Sequence, residues 1–201
     1  MTTPSDAART KTLAGKRLDT RARLVDAAQR VFQERGYETA TVADIVEAAG
    51  ASRANFYLYF TGKQDVYRAF GSSFVVHMTD RFARLDEIVA DADRAALRAW
   101  IDDHITWSVQ NQKTYAVWAE VEAKDPTVAS QIWRDAIALW LDAMPRYKRQ
   151  WSSRSKEPFA RLGLFVGQLQ FFHHSLFTPT ERRITLDVLA DAWMEQLRRP
   201  V

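Results

Sequence analysis

The sequence predicts an all-α protein, and three observations carry that prediction. No stretch sustains a two-residue apolar alternation, apolar residues recur at helical spacing, and Gly and Pro fall mostly between the periodic segments. With 201 residues, 47% of them hydrophobic, the chain can bury a sizeable core as one domain or two small ones. Seven Trp and eleven Phe exclude disorder as the main state. The absence of Cys excludes a disulfide scaffold, a thiolate metal site and a Cys nucleophile.

The elements follow in order. Leu24, Ala28, Val31 and Phe32 form one helical face that stops at Gly36. Thr41 and Asp44 form a capping-box-like start, Ile45, Val46 and Ala49 supply a buried face, and Gly50 ends that helix. Ser52 caps a third short helix bearing Phe56, Tyr57 and Phe60, closed by Thr61-Gly62. A longer helix begins at Lys63 with Val66, Tyr67, Phe70, Phe74, Met78 and Phe82. Beyond residue 85, helices are expected from about Asp93 through Ile105, from Thr114, and from Pro126 to Pro145, with Asp125 as a cap. Tyr147 to Glu157 reads as a loop, and two closing helices run over 158–177 and from about Thr180 to Arg198.

The net charge of +3 and pI near 9.3 are too weak to name a partner. Their distribution says more. Residues 1–23 hold six basic and two acidic groups, leaving 22 basic against 23 acidic in the remainder. The N-terminus lacks the apolar run of a signal peptide, and the most apolar stretch is too short to span a bilayer. The expectation is a cytoplasmic protein with a basic, mobile arm over residues 1–18, for which a solubilising tail is the plain alternative.

Residues 36–63 carry the functional signal. Two short helices joined by Gly50-Ala51-Ser52 match a helix-turn-helix, whose second helix enters the DNA major groove. Ser52, Arg53 and Asn55 place a hydroxyl, a guanidinium and a carboxamide on the first turn of that helix, groups able to reach phosphates or base edges. Thr41 and Lys63 suit phosphates. Periodicity alone leaves an ordinary helical hairpin open.

The run from Gly36 to Phe60, GYETATVADIVEAAGASRANFYLYF, continued by Thr61-Gly62-Lys63-Gln64-Asp65-Val66, resembles the signature of the TetR family of bacterial transcriptional regulators. The resemblance covers about residues 20–66. It implies an N-terminal three-helix helix-turn-helix DNA-binding domain (residues 19–62) joined to an α-helical effector-binding and dimerisation domain (63–201). It implies Thr41 on a phosphate, Arg53, Ala54 and Asn55 at base edges, and Ser52, Tyr57, Tyr59 and Lys63 on the DNA backbone. The family often has Gly at position 54, Thr at 55 and His at 58 and 59. Asn55 reads adenine better than Thr does, so no relative's operator can be borrowed. In this light the arm lies along or in a minor groove, with Arg17 and Arg21 nearest DNA.

Six of the seven Trp fall between residues 100 and 151, where they either fill a helical core or line a cavity. The resemblance favours a cavity for an apolar or aromatic small-molecule effector, with Trp100, His104, Trp107, Trp118, Trp140 and Phe165 as its lining. Gly163 and Gly167 form a small-residue strip on a helix apolar on most of its circumference, which points to a homodimer interface shared with Phe172, Leu189 and Trp193, with burial inside one subunit as the plain alternative. The expected protein is a ligand-responsive regulator, a repressor released from a near-palindromic double-stranded operator. It has no cofactor, metal site, membrane contact or catalytic residue. A regulator without a small-molecule ligand is the alternative. A small helical enzyme is disfavoured, because no nucleophile motif, P-loop or His-x3-His pair occurs, and Asp102-Asp103-His104 reads as a solvated turn of helix. A DNA-packaging protein is disfavoured by the acidic balance outside the arm.

Overall fold

A computed structural model describes residues 4–171 and 178–197, with side chains over 18–169 and 178–197. Among the described residues there is no strand, and the helices are α1 (Pro4–Arg35), α2 (Val42–Ala48), α3 (Arg53–Tyr57), α4 (Lys63–Ala90) and α5 (Arg94–Gln110). These are followed by α6 (Gln112–Lys124), α7 (Pro126–Asp142), α8 (Pro145–Arg149), α9 (Glu157–Phe171) and α10 (Pro179–Leu197). Among the described residues, no helix is long and apolar enough to cross a membrane.

The chain forms two compact units. The first comprises residues 1–73 with 116–128, and the second comprises 74–115 with 129–201. The expected boundary at residue 62 therefore does not describe how the chain packs: the start of α4 and most of α6 join the N-terminal helices.

In the first unit, α1 buries Leu24, Ala27, Ala28, Val31 and Phe32. It ends where Gly36 takes φ +80°, a left-handed conformation that glycine adopts without a Cβ clash. Ile45, Phe56 and Phe60 complete the core beneath the two short helices. The expected arm over 1–18 is different in the structure, where helix α1 already begins at Pro4. Proline is tolerated at a first helical position, and apart from Gly15 no residue after it breaks the helix.

In the second unit, Phe82, Leu85, Leu97, Ile101, Ala136, Met144, Leu162 and Phe165 are among the buried residues of one core. The segment expected to be a loop from Tyr147 starts instead inside helix α8, with Tyr147 fully buried. The cause is remote in sequence. The buried Asp86 carboxylate accepts the N–H groups of Arg146 (3.0 Å) and Tyr147 (2.7 Å), satisfying donors that a helix start leaves open. Of the turn expected to be solvated at 102–104, Asp102 and Asp103 keep solvent-exposed carboxylates while pairing with Arg182 and Arg81, whereas His104 is buried.

Candidate nucleic-acid interface and aromatic cleft

The candidate DNA-facing surface is built from local caps. Thr41 Oγ1 accepts the Asp44 N–H at 3.2 Å while the Asp44 carboxylate accepts the Thr41 N–H at 2.9 Å and its hydroxyl at 2.7 Å. This reciprocal pair fixes the start of α2. The Thr41 hydroxyl and backbone hold the Asp44 carboxyl below its ordinary value, with Arg35 adding a favourable charge. Gly50 at φ +58° turns the chain, Ala51 N–H donates to the Val46 carbonyl at 2.9 Å, and Ser52 Oγ accepts the Asn55 N–H at 3.1 Å to start α3.

Helix α3 has one buried side and one open side. Phe56 points inward, whereas Ser52, Arg53, Ala54, Asn55, Tyr57 and Leu58 are exposed. Tyr57 and Leu58, 59% and 74% exposed, put two adjacent large side chains on that open side. Leu58 is not among the residues expected at DNA. Tyr59 is half-buried and packs closer to the core. Arg21 lies 5.2 Å from the Phe60 ring centroid, which holds its guanidinium beside the three-helix core. Arg17 lies outside the residues whose side chains are described.

Lys63 is placed differently from the other expected DNA contacts. Its ammonium donates to the carbonyls of Tyr37 (2.7 Å) and Glu38 (2.9 Å) and stands 4.6 Å from the Tyr37 ring centroid. An ammonium has three donors, so two are committed within the protein.

In the second unit the aromatic residues form a connected stack. Phe82 stacks on Trp140 at 4.5 Å and Trp100 on His104 at 5.2 Å, while Phe165 meets Trp193 edge-on at 4.5 Å. The indole N–H groups of Trp100 and Trp140 donate to the carbonyls of Arg81 and Val75, both at 2.9 Å. A narrow apolar cleft of about 10 Å³, room for about one water molecule and partly open to solvent, is lined by residues including Phe74, Met78, His104, Tyr115, Trp133 and Trp140. Burial raises the Tyr115 hydroxyl to about 12, against a lowering hydrogen bond to Ser108 and the charge of Arg81.

Of the expected ligand-lining residues, His104 and Trp140 border this cleft. Trp100 stacks behind His104, Phe165 packs on Trp100, and Trp107 touches Phe74 and Tyr115. Trp118 is buried in the first unit instead. Phe74, Met78, Tyr115 and Trp133 were not anticipated. Helical spacing gives a Trp a face but not the partner that face meets, so Trp118 and Trp133 look alike in sequence.

The expected interface residues also divide. Trp193 is 1% exposed and its N–H donates to the Gln168 side-chain oxygen, so it belongs to the core of its own unit, as does Leu189. Gly163 admits Ile137, whose Cδ1 would lie 3.3 Å from an added Cβ. Gly167 faces open space, and Phe172 lies outside the described residues. The apolar side chains left exposed on these helices are Leu164, Ile184 and Val188.

Residues 24–70 match the family model described as bacterial regulatory proteins, tetR family. The HTH-type transcriptional regulator TtgR of Pseudomonas putida is 38% identical over 76 residues, 37% of this chain and 35% of that protein. The matched region thus spans about a third of the length of such curated relatives. Two solved structures share the fold. One, from Mesorhizobium loti MAFF303099 and described as of the TetR family, aligns with TM-score 0.62 at 15% identity over 90% of this chain and 96% of that one. The other, the fatty acid degradation regulator FadR from Bacillus halodurans, gives 0.55 at 18% identity over 89% and 94%. Through residues 24–70, the chain is thus similar to the tetR family of bacterial regulatory proteins, and the two solved structures extend the likeness of fold over most of its length.

Proposed function

We propose that this protein is a cytoplasmic, homodimeric transcriptional repressor that binds a near-palindromic DNA operator and is released from it by a small apolar or aromatic effector. The observation that carries the reading is the exposed face of α3, where Arg53 and Asn55 stand free on a helix whose opposite side is locked by Phe56. Arg53 and Asn55 are suited to guanine and adenine edges, Ser52, Tyr57 and Thr41 to phosphates, and Ala54 to close approach. Arg17, Arg21 and Tyr59 would add contacts at the margin.

The cleft beside Trp140 supports the effector part of the proposal. Its walls are aromatic and apolar, with the His104 imidazole and Tyr115 hydroxyl as the groups able to orient a ligand. A flat ring enters by parting the half-buried walls at Phe74 and Trp133. The ligand then shifts the DNA equilibrium only if it prefers the state that does not bind DNA. Dimerisation through Leu164, Ile184, Val188 and the open strip at Gly167 would set two α3 helices about one DNA turn apart, roughly 34–36 Å.

A gel-shift assay with the DNA upstream of the protein's own gene tests the reading. The expected result is a saturable shift that unrelated DNA does not compete away. Equal binding to every sequence, or none at all, would overturn it. Trp fluorescence then screens aromatic compounds, and a hit that quenches Trp emission is expected to reverse the shift.

A further inference from the structure

The link between α1 and α2 is held from two sides by residues far away in sequence. Glu120 of α6 accepts the backbone N–H of Tyr37 on one carboxylate oxygen and that of Glu38 on the other, both at 2.7 Å. Lys63, at the start of α4, donates to the carbonyls of the same two residues. Gly36 completes the fit. A Cβ there would lie 3.1 Å from the Glu120 Oε2, so glycine supplies both the left-handed turn and the room for the carboxylate. Gln64 donates to the Asp125 carboxylate at 2.7 Å, tying the first turn of α4 to the residue after α6.

This arrangement departs from the local caps around it. Thr41 serves a residue three positions on, as does Ser52, but Glu120 serves N–H groups 82 and 83 positions away. Two charge-assisted bonds from one carboxylate fix the loop in position and in rotation. The loop in turn sets the angle at which α2, and α3 behind it, leaves α1.

We propose that Glu120 is a positioning residue for DNA reading: by clamping the N–H groups of Tyr37 and Glu38 it fixes the pitch of the helix-turn-helix that α3 presents. The inference rests on the DNA-reading proposal above. Glu120 acts through the loop and needs no contact with DNA.

Glu120→Gln tests it in the full-length protein, against a DNA fragment that the wild type shifts. Glutamine keeps the shape but accepts on one oxygen and turns N–H donors toward the second N–H. The expected result is a Kd raised about tenfold or more with the salt slope unchanged, because no phosphate contact is lost. Amide exchange at Tyr37 and Glu38 should quicken while Tm stays within about 3 °C of wild type. Glu122→Gln on the same helix should leave Kd unaltered. If Glu120→Gln does not fold, Glu120→Asp keeps the charge, withdraws it by one methylene, and should weaken binding several-fold.

The proposal is overturned if Kd stays within twofold of wild type in the variant that folds, or if the loss of affinity only mirrors a loss of Tm. It is also overturned if Glu122→Gln weakens binding equally, which would make the effect a general response to changes in α6; net charge alone would strengthen binding in both variants, since each loses a negative charge. A wild type that shifts no DNA would instead defeat the DNA-reading proposal itself, so the two failures are distinguishable.

Discussion

The two units hold their shape by different means. In the first, the reading face is positioned by directed hydrogen bonds: the Thr41–Asp44 box, the Ser52 cap, and the bonds around Tyr37 and Glu38. In the second, the middle of the unit is filled by interlocking rings, with Phe82 on Trp140, Trp100 on His104 and Phe165 on Trp193. Hydrogen bonds have strict geometry and leave the outward side chains free. Aromatic burial tolerates shape change but is costly to hollow out. The first suits the proposed DNA-reading surface, which would present Arg53 and Asn55 in one orientation. The second suits a core that could open around a guest.

The largest effect should come from hollowing the second unit. Trp193 is fully buried against Phe165, so Trp193→Ala should destabilise by about 3–5 kcal/mol, lowering Tm by roughly 10 °C. Thermal unfolding followed by circular dichroism measures this. A loss below about 1 kcal/mol would mean that the ring stack carries little of the unit's stability. The Trp193 N–H bond to Gln168 adds a control, since Gln168→Ala should cost less, about 1–3 kcal/mol, by leaving that donor without its partner.

The reading face should behave in the opposite way. Arg53 is exposed and makes no structural bond that its removal would break, so Arg53→Ala should leave stability within about 0.5 kcal/mol. It should nonetheless cost about 1–3 kcal/mol of DNA binding, or roughly 10- to 100-fold in Kd. If Arg53 reads a base, the salt slope persists and discrimination at one operator position relaxes. If it meets a phosphate, affinity falls for all sequences and the slope shrinks by about one. An unchanged Kd would remove Arg53 from the interface.

The cap that sets α2 gives a smaller effect with a pH signature. Thr41→Ala should cost about 1 kcal/mol through loss of the N-cap bond. The Asp44 carboxyl, held low mainly by the Thr41 hydroxyl and backbone, should move back toward its ordinary 3.8 in that variant, which an NMR titration reads directly. The sign follows from linkage. A carboxyl depressed in the folded state contributes stability that is present above the unfolded value near 3.8 and is lost as pH falls through the folded value. The tyrosines give the opposite limb. Burial raises Tyr115 and Tyr147 to about 12, so their contribution is present below pH 10 and is lost as pH climbs from 10 toward 12. Thr41→Ala should change the acid limb and leave the alkaline one untouched.

The same contrast explains what the sequence could reveal. The helix-turn-helix was legible because its determinants sit within three or four positions of one another: Thr41 with Asp44, Ser52 with Asn55, Gly50 at the turn. The ring stack was legible only as composition. Nothing near Trp118 or Trp133 in the chain says that one belongs to the first unit and the other borders the cleft. Asp86 capping α8 and Glu120 on the 37–38 amides were invisible for the same reason, since each joins residues 60 or more positions apart. Leu189 and Trp193 show a related limit, because an apolar helix face facing its own core looks like one facing a partner. The exposed Leu164, Ile184 and Val188 separate the two cases only once the packing is known.

The smallest effect probes a place where the second unit, too, depends on backbone geometry. After α4, Ala92 takes φ +56°, and among the described residues it is the one non-glycine residue with positive φ. Its N–H donates to Val89 at 3.3 Å and the next N–H, of Asp93, to Ile88 at 3.1 Å, a helix end that normally carries glycine. A left-handed Ala costs about 1–2 kcal/mol, whereas glycine adopts the conformation freely but loses about 0.5–1 kcal/mol more entropy on folding. Ala92→Gly should therefore stabilise by about 0.5–1 kcal/mol and raise Tm by roughly 2 °C. The measurement is sharp because Asp93, next in the chain, caps α5 through its bond to the Ala96 N–H at 2.9 Å, so the turn serves two helices at once. A lower Tm would mean that Ala92 supplies packing worth more than its strain. An unchanged Kd for DNA alongside a raised Tm would show stability in the second unit moving independently of the reading face.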